Sequence, residues 1–180
     1  MKAVLVVAIL IFIFSVSLAF SRDQEAAARI AAGCGPNQAQ FEVKTNKKQH
    51  PTGQPEAGKA LVYIFADEDE DNAGFRIGGL TSRVGLDGGW VGANDWKSYF
   101  FFPVDAGEHR LCTSQQSVLK SRTKKSAAAS FTAEAGTVYY FRTKTPQSHL
   151  PQIVELVPVD PAEAQLLIAS SAFSISHPRN

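Results

Sequence analysis

The chain has 180 residues, of which 44% are hydrophobic and 19% charged, with a formal net charge of +1. That is the composition of one globular domain, and it excludes disorder throughout. So even a charge balance supplies no basic field to neutralise phosphates, so nucleic-acid binding is not expected.

Met1-Lys2 is a short positive start, and Ala3 to Phe20 is an apolar run. The small residues Ser17-Leu18-Ala19 mark a cleavage site, so residues 1–19 read as a secretory signal peptide and localisation as extracytoplasmic, in the periplasm or cell envelope. The alternative is an uncleaved amino-terminal anchor, since the run is at the short limit for crossing a bilayer; membrane contact is expected only in that case. Asp23 to Ala32 favours a short helix ending at Gly33. Residues 20–58 form an arm, rich in breakers at Pro51, Gly53, Pro55 and Gly58, with Phe41 and Val43 as the only alternating pair and hence at most one edge strand.

The main domain spans residues 59–177, with a tail at 178–180. It opens on Ala60 to Ala66, ALVYIFA, apolar enough to be a central strand. Phe75 to Leu86 holds one strand, or two broken near Gly78-Gly79. From Gly85 to Cys112 the sequence predicts two β-hairpins, one turning on Asp87-Gly88 and one on Ala106-Gly107. Between them Tyr99 to Val104, with three consecutive phenylalanines, reads as a strand buried on both faces. Ser114 to Ser126 reads as a long exposed loop with a basic tip at Lys120 to Lys125. Ala127 to Glu134 and Thr137 to Lys144 are strands around Ala135-Gly136, and Ile153 to Val157 is another. Asp160 is an N-cap, Pro161 suits the first helical position and Glu163 completes a capping box, so a helix runs to about Ser170. Ala172 to Ser176 then reads as an edge strand before His177-Pro178.

Seven to nine short strands and one carboxyl-terminal helix make the fold mainly β, an immunoglobulin-like or related β-sandwich. In an oxidising compartment the pair Cys34 and Cys112 is expected to form a disulfide; the alternative is two independent thiols.

Sites of chemistry are sparse. Asp67, Asp69 and Asp71 alternate like the first ligands of a calcium loop, but Asn72 and Gly78 stand where its glycine and bidentate glutamate belong, so a solvated acidic turn is the better reading. His50, His109, His149 and His177 lack paired spacing, so no metal site is expected, and His109 reads as structural. No nucleophile elbow, phosphate loop or Cys-x-x-Cys is present, and no catalytic or cofactor-binding residue is assigned. The candidate binding surface is Trp90, Asn94 and Trp96, two aromatics with polar groups between them that would stack on a sugar or anchor a protein. The rival reading places one or both tryptophans in the core.

Four segments carry a family resemblance: GKALVYIF (Gly58 to Phe65), VGLDGGWVG (Val84 to Gly92), SYFFFPVDAGEH (Ser98 to His109) and FTAEAGTVYYFR (Phe131 to Arg142). Together they resemble the bacterial domain of unknown function 2846, and more weakly the PEGA-type sandwich modules of envelope proteins. The resemblance implies a non-catalytic, exported β-sandwich, and the leading reading of the chain is a binding or structural module of the envelope acting through loops and edge strands, with an unknown envelope protein or polymer as partner. It carries no catalytic residues. Members of the first family are often lipoproteins, but here Ser21 to Arg29 places charges between the apolar run and Cys34, a departure from a lipid-attachment box. A small-ligand or glycan binder is the alternative function, and a hydrolase assembled from distant residues the second alternative.

Overall fold

The structure, a computed structural model, describes residues 34–36, 38–66, 81–116, 126–144 and 154–179. The leader, the helix expected at Asp23 to Ala32, Asp67 to Asp71, the basic tip and His149 lie outside these residues. Among the described residues there are ten strands and one helix. In chain order they are β1 (Phe41–Asn46), β2 (Lys59–Ala66), β3 (Thr81–Leu86), β4 (Gly89–Asn94), β5 (Ser98–Asp105), β6 (Gly107–Gln116), β7 (Ser126–Ala133), β8 (Val138–Lys144), β9 (Glu155–Pro158), α1 (Pro161–Ser170) and β10 (Ala172–Pro178).

The strands form two sheets, a six-stranded one in the order β1-β10-β5-β2-β8-β9 and a four-stranded one in the order β4-β3-β6-β7. The mainly β, sandwich-like architecture expected from the sequence is therefore present. The strand order is not that of an immunoglobulin domain, whose sheets are antiparallel: β2 runs parallel to β8 and β10 parallel to β5.

The reason β2 reads as continuously apolar is its place. Ala60, Val62 and Ile64 face the second sheet in a core shared with Val84, Phe100, Leu111 and Phe141. Leu61, Tyr63 and Phe65 face outward, where Tyr99 and, from the α1 side, Val159, Ala164 and Ile168 cover them. Successive side chains point to opposite faces of a strand, so a strand covered on both sides needs apolar residues at every position. The same holds for β5, with Phe100 and Phe102 inward and Tyr99 and Phe101 outward. Each large side chain so buried contributes roughly 1.5 to 3 kcal/mol.

The arm completes the outer cover. The Tyr99 hydroxyl donates to the Pro51 carbonyl (2.9 Å), and the Gly53 N–H donates to the Tyr63 hydroxyl (2.7 Å). Burial, reinforced by neighbouring Tyr63, pushes the Tyr99 pKa up to about 12, so the donor stays protonated. A side chain on Gly53 would start 2.8 Å from the Phe101 ring, so the arm can lie this close only with glycine there.

Several sequence expectations are corrected. Asp87 (φ 51°) and Gly88 (φ 86°) do make the tight β3–β4 hairpin, with Leu86 paired to Gly89. The second hairpin does not exist: at Ala106-Gly107 the chain leaves the six-stranded sheet and enters the four-stranded one. β5 is already paired along its length to β2, from Lys59 opposite Asp105 to Ala66 opposite Ser98, and β6 pairs with β3 and β7. Gly107, at φ 141°, serves a corner between layers rather than a return along one sheet. β6 also runs two residues past the expected loop start at Ser114, because Ser114 and Gln115 are buried strand residues.

In α1, Asp160 Oδ1 accepts from the Ala162 N–H (2.8 Å) as an N-cap, but Glu163 Oε1 accepts from Arg142 of β8 (2.7 Å), tying the helix to the sheet beneath. β10 is not an edge strand: it lies between β1 and β5 and extends through Pro178.

Candidate functional site

The strongest cluster of specific side-chain chemistry lies on the outer face of the four-stranded sheet. Because facing alternates along a strand, Val84 of β3 points into the core and Arg83 points out; Ser114 lies directly across from Arg83, and Cys112 across from Gly85. Trp90 is opposite Gly85 on the other side, placed there by a register shift at Val91 of β4, facing the Val84–Gly85 step of β3. Residues 34–36 and 38–41 cross this face as a strap, and Cys112, Trp90, Arg83 and Gln116 each hold one point of it.

Cys34 and Cys112 are joined by a disulfide, with Cα atoms 5.1 Å apart and both residues buried. The Trp90 Nε1–H donates to the Pro36 carbonyl (2.8 Å), and Gly35 is packed against the indole so closely that a Cβ there would fall 2.5 Å from Cδ1. Arg83 Nη1 donates to the Ala39 carbonyl (2.5 Å), Nη2 donates to Ser114 Oγ (3.1 Å), and the guanidinium lies 4.4 Å from the centroid of the Trp90 ring. Gln116 closes the series: Oε1 accepts from the Phe41 N–H (2.7 Å) and Nε2 donates to the Phe41 carbonyl (2.9 Å). Arg83 is only 2% exposed, and burial lowers its pKa, yet a guanidinium stays charged well above neutral pH. Sequence reasoning missed Arg83 and Gln116. The readable signal was an arginine at the outward position of an otherwise small and apolar strand, TSRVGL, which requires something to cover that face.

A second cluster ties the two turns together. His109 Nδ1–H donates to Asp87 Oδ2 (2.7 Å), Nε2–H donates to the Asp105 carbonyl (2.8 Å), and Asp87 Oδ1 accepts from the Arg110 N–H (2.8 Å). Both partners of the ring are acceptors, so only the imidazolium satisfies both nitrogens. Burial opposes that charge, but the bonds to Asp87 and Asp105 and their negative charges outweigh it, and the His109 pKa is raised above its ordinary 6.5. For Asp87 burial also opposes the charge, and the Arg110 and His109 bonds outweigh it, lowering the pKa below 3.8. The structural reading of His109 matches this geometry.

The sign of the pH dependence follows. The His109 contribution is complete below pH 6.5 and is lost as pH rises through its raised folded-state value. The Asp87 contribution is complete above pH 3.8 and is lost as pH falls through its lowered value. The stability difference between the wild type and His109→Gln, measured by urea unfolding across pH, should therefore be largest in the mildly acidic range and shrink toward alkaline pH. A difference that does not change with pH would mean that the ring acts uncharged.

The structure does not bring Trp90, Asn94 and Trp96 together on one exposed surface. Asn94 is 0% exposed, with Nδ2 donating to the Ile64 (3.3 Å) and Ser98 (3.4 Å) carbonyls. Facing alternation turns it inward, opposite Ser82. Trp90 is half-buried under the strap, and Trp96 is half-buried in the β4–β5 turn with the Lys97 ammonium 4.8 Å from its ring centroid. Four residues of strand, about 13 Å, separate Trp90 from Asn94 alone, so the two indoles stand at different ends of β4. His50 and His177 are exposed and far apart in the chain.

A family model described as Protein of unknown function (DUF2846) matches residues 56–156, just over half of the chain. The chain belongs to this family. The DUF2846 match begins just before β2 and ends within β9, so it includes Arg83, Asp87, Trp90, His109 and Cys112 and leaves out the strap with Cys34, α1 and β10. No curated protein and no solved structure matches the chain.

Proposed function

We propose that this DUF2846 protein is a non-catalytic, exported module of the bacterial envelope that works as a binding or structural unit. The observation that carries the reading is the Cys34–Cys112 disulfide across the strap, since such bonds form and persist in oxidising compartments. The apolar amino terminus with its Ser17-Leu18-Ala19 site supports the same placement. The clusters favour support over chemistry: both nitrogens of His109 are engaged in fixing turns, and Arg83 is spent on the strap.

Fractionation of cells producing the full chain, with mass analysis of its amino terminus and thiol alkylation before and after reduction, tests this. The expected result is protein in the periplasmic or envelope fraction, starting after Ala19, with thiols that alkylate only after reduction. Cytoplasmic protein with both thiols free overturns it. Crosslinking in the same cells then asks whether an envelope protein or polymer is its partner.

A further inference from the structure

At the end of the sandwich where β4 meets β5, the interior changes from apolar to polar. Ser82, Asn94, Ser98 and Ser174 are all 3% exposed or less. They belong to four different strands from both sheets, yet they converge: Ser82 is opposite Asn94, Asn94 Nδ2 donates to the Ser98 carbonyl, and the Ser98 and Ser174 hydroxyls are 2.7 Å apart. Ser98 Oγ also donates to the Asp95 carbonyl, which holds the β4–β5 turn against the cluster. Within this arrangement one strong acceptor, Asn94 Oδ1, is fully buried and has no hydrogen-bond partner. Exchanging the two ends of the amide does not relieve it, because the nitrogen already faces two carbonyl oxygens.

An unmet buried acceptor costs about 1 to 3 kcal/mol, and a polar patch of a protein interior is the setting in which buried polar molecules are held. We infer that Asn94 Oδ1, in the polar end of the interior to which Ser82, Ser98 and Ser174 also belong, is a site for a small neutral hydrogen-bond donor. Neutrality follows from the lining: none of the four side chains is ionisable, and the nearest carboxylate in the chain, Asp95, has Oδ1 engaged by the Thr81 hydroxyl (2.8 Å). Small size follows from the burial of every lining residue. The donor is an O–H or N–H of one of two sources, a trapped water or a small neutral solute such as an alcohol or primary amide. The site is independent of where the protein resides in the cell.

The test uses the oxidised, nitrogen-15-labelled wild-type chain and reads the Asn94 side-chain amide protons by NMR. Cross-relaxation to a water that stays bound for longer than the protein tumbles, unchanged by added methanol or acetamide, identifies the donor as water. A saturable shift of the Asn94 amide signals with methanol or acetamide, with loss of the water signal, identifies it as a solute. Ser174→Ala, which keeps the Asn94 amide, should weaken whichever signal is found. Neither a long-lived water nor a saturable shift in the wild type overturns the proposal, and that reading needs no variant to fold.

Discussion

Replacing both cysteines, Cys34→Ser with Cys112→Ser, should lower the unfolding free energy by ~4 to 5 kcal/mol. The bridge closes a loop with a sequence separation of 78 residues, and the chain-entropy model assigns that magnitude to a loop of this length, acting on the unfolded chain. The folded structure should change far less. Three other attachments hold the strap without the bridge: Trp90 to Pro36, Arg83 to Ala39 and Gln116 to Phe41. Two measurements therefore separate the effects. Urea unfolding should show the lower stability, together with a larger dependence on denaturant because the uncrosslinked unfolded chain exposes more surface. Limited proteolysis under native conditions should show a strap still protected. Rapid cleavage between Gly35 and Gln40 in the folded double variant would mean instead that the bridge alone holds the strap.

Arg83→Ala should cost ~3 to 5 kcal/mol, and Arg83→Met distinctly less. Hydrogen bonds to a charged group contribute about 1.5 to 3 kcal/mol each, and the alanine loses two of them, to the Ala39 carbonyl and Ser114 Oγ, along with the face of Trp90. It also leaves a void under the strap, and voids in close-packed regions add their own penalty. Both variants lose the charge and its bonds, but methionine fills the space against the indole and so keeps the packing that alanine loses. The two variants compared by urea unfolding give the order. If alanine and methionine cost the same, packing beneath Trp90 contributes nothing and the bonds carry the whole effect. Combined with the cysteine double variant, Arg83→Ala should be non-additive, since both hold the same strap.

The strap and the interior polar site share a cause that a linear reading does not show. In TSRVGL alternation sends Arg83 to one face and Val84 to the other, but in GWVGAN Trp90 and Asn94 reach opposite faces only because the register shifts between them, and only the sheet order says what each face meets. Trp90, Asn94 and Trp96 read as one exposed edge because two aromatics flank polar residues. The strand ending at Asn94 instead turns that side chain into the core, while Trp96 stays in the turn. Likewise Ser114 and Gln115 read as loop from polarity alone, and the sheet buries them as strand.

What the sequence alone determined was whatever depends on neighbours in the chain. Asp87-Gly88 makes its tight turn because both residues accept positive φ, Asp160-Pro161 starts the helix because a capping carboxylate and a preset φ need no distant partner, and the unbroken apolar runs of β2 and β5 declare strands covered on both faces. The pairing of Cys34 with Cys112 was legible as an expectation, though not the strap it secures. Only the tertiary structure decided which sheet each strand joins. The turn at Ala106-Gly107 is encoded locally, yet β5 pairs to β2 and β6 to β3 because long-range backbone partners and shared core, not the turn, supply most of the stabilisation. The same competition places β10 inside its sheet beside β1, and it brings Arg83, Gln116 and Trp90 onto one strap from positions that no local pattern connects.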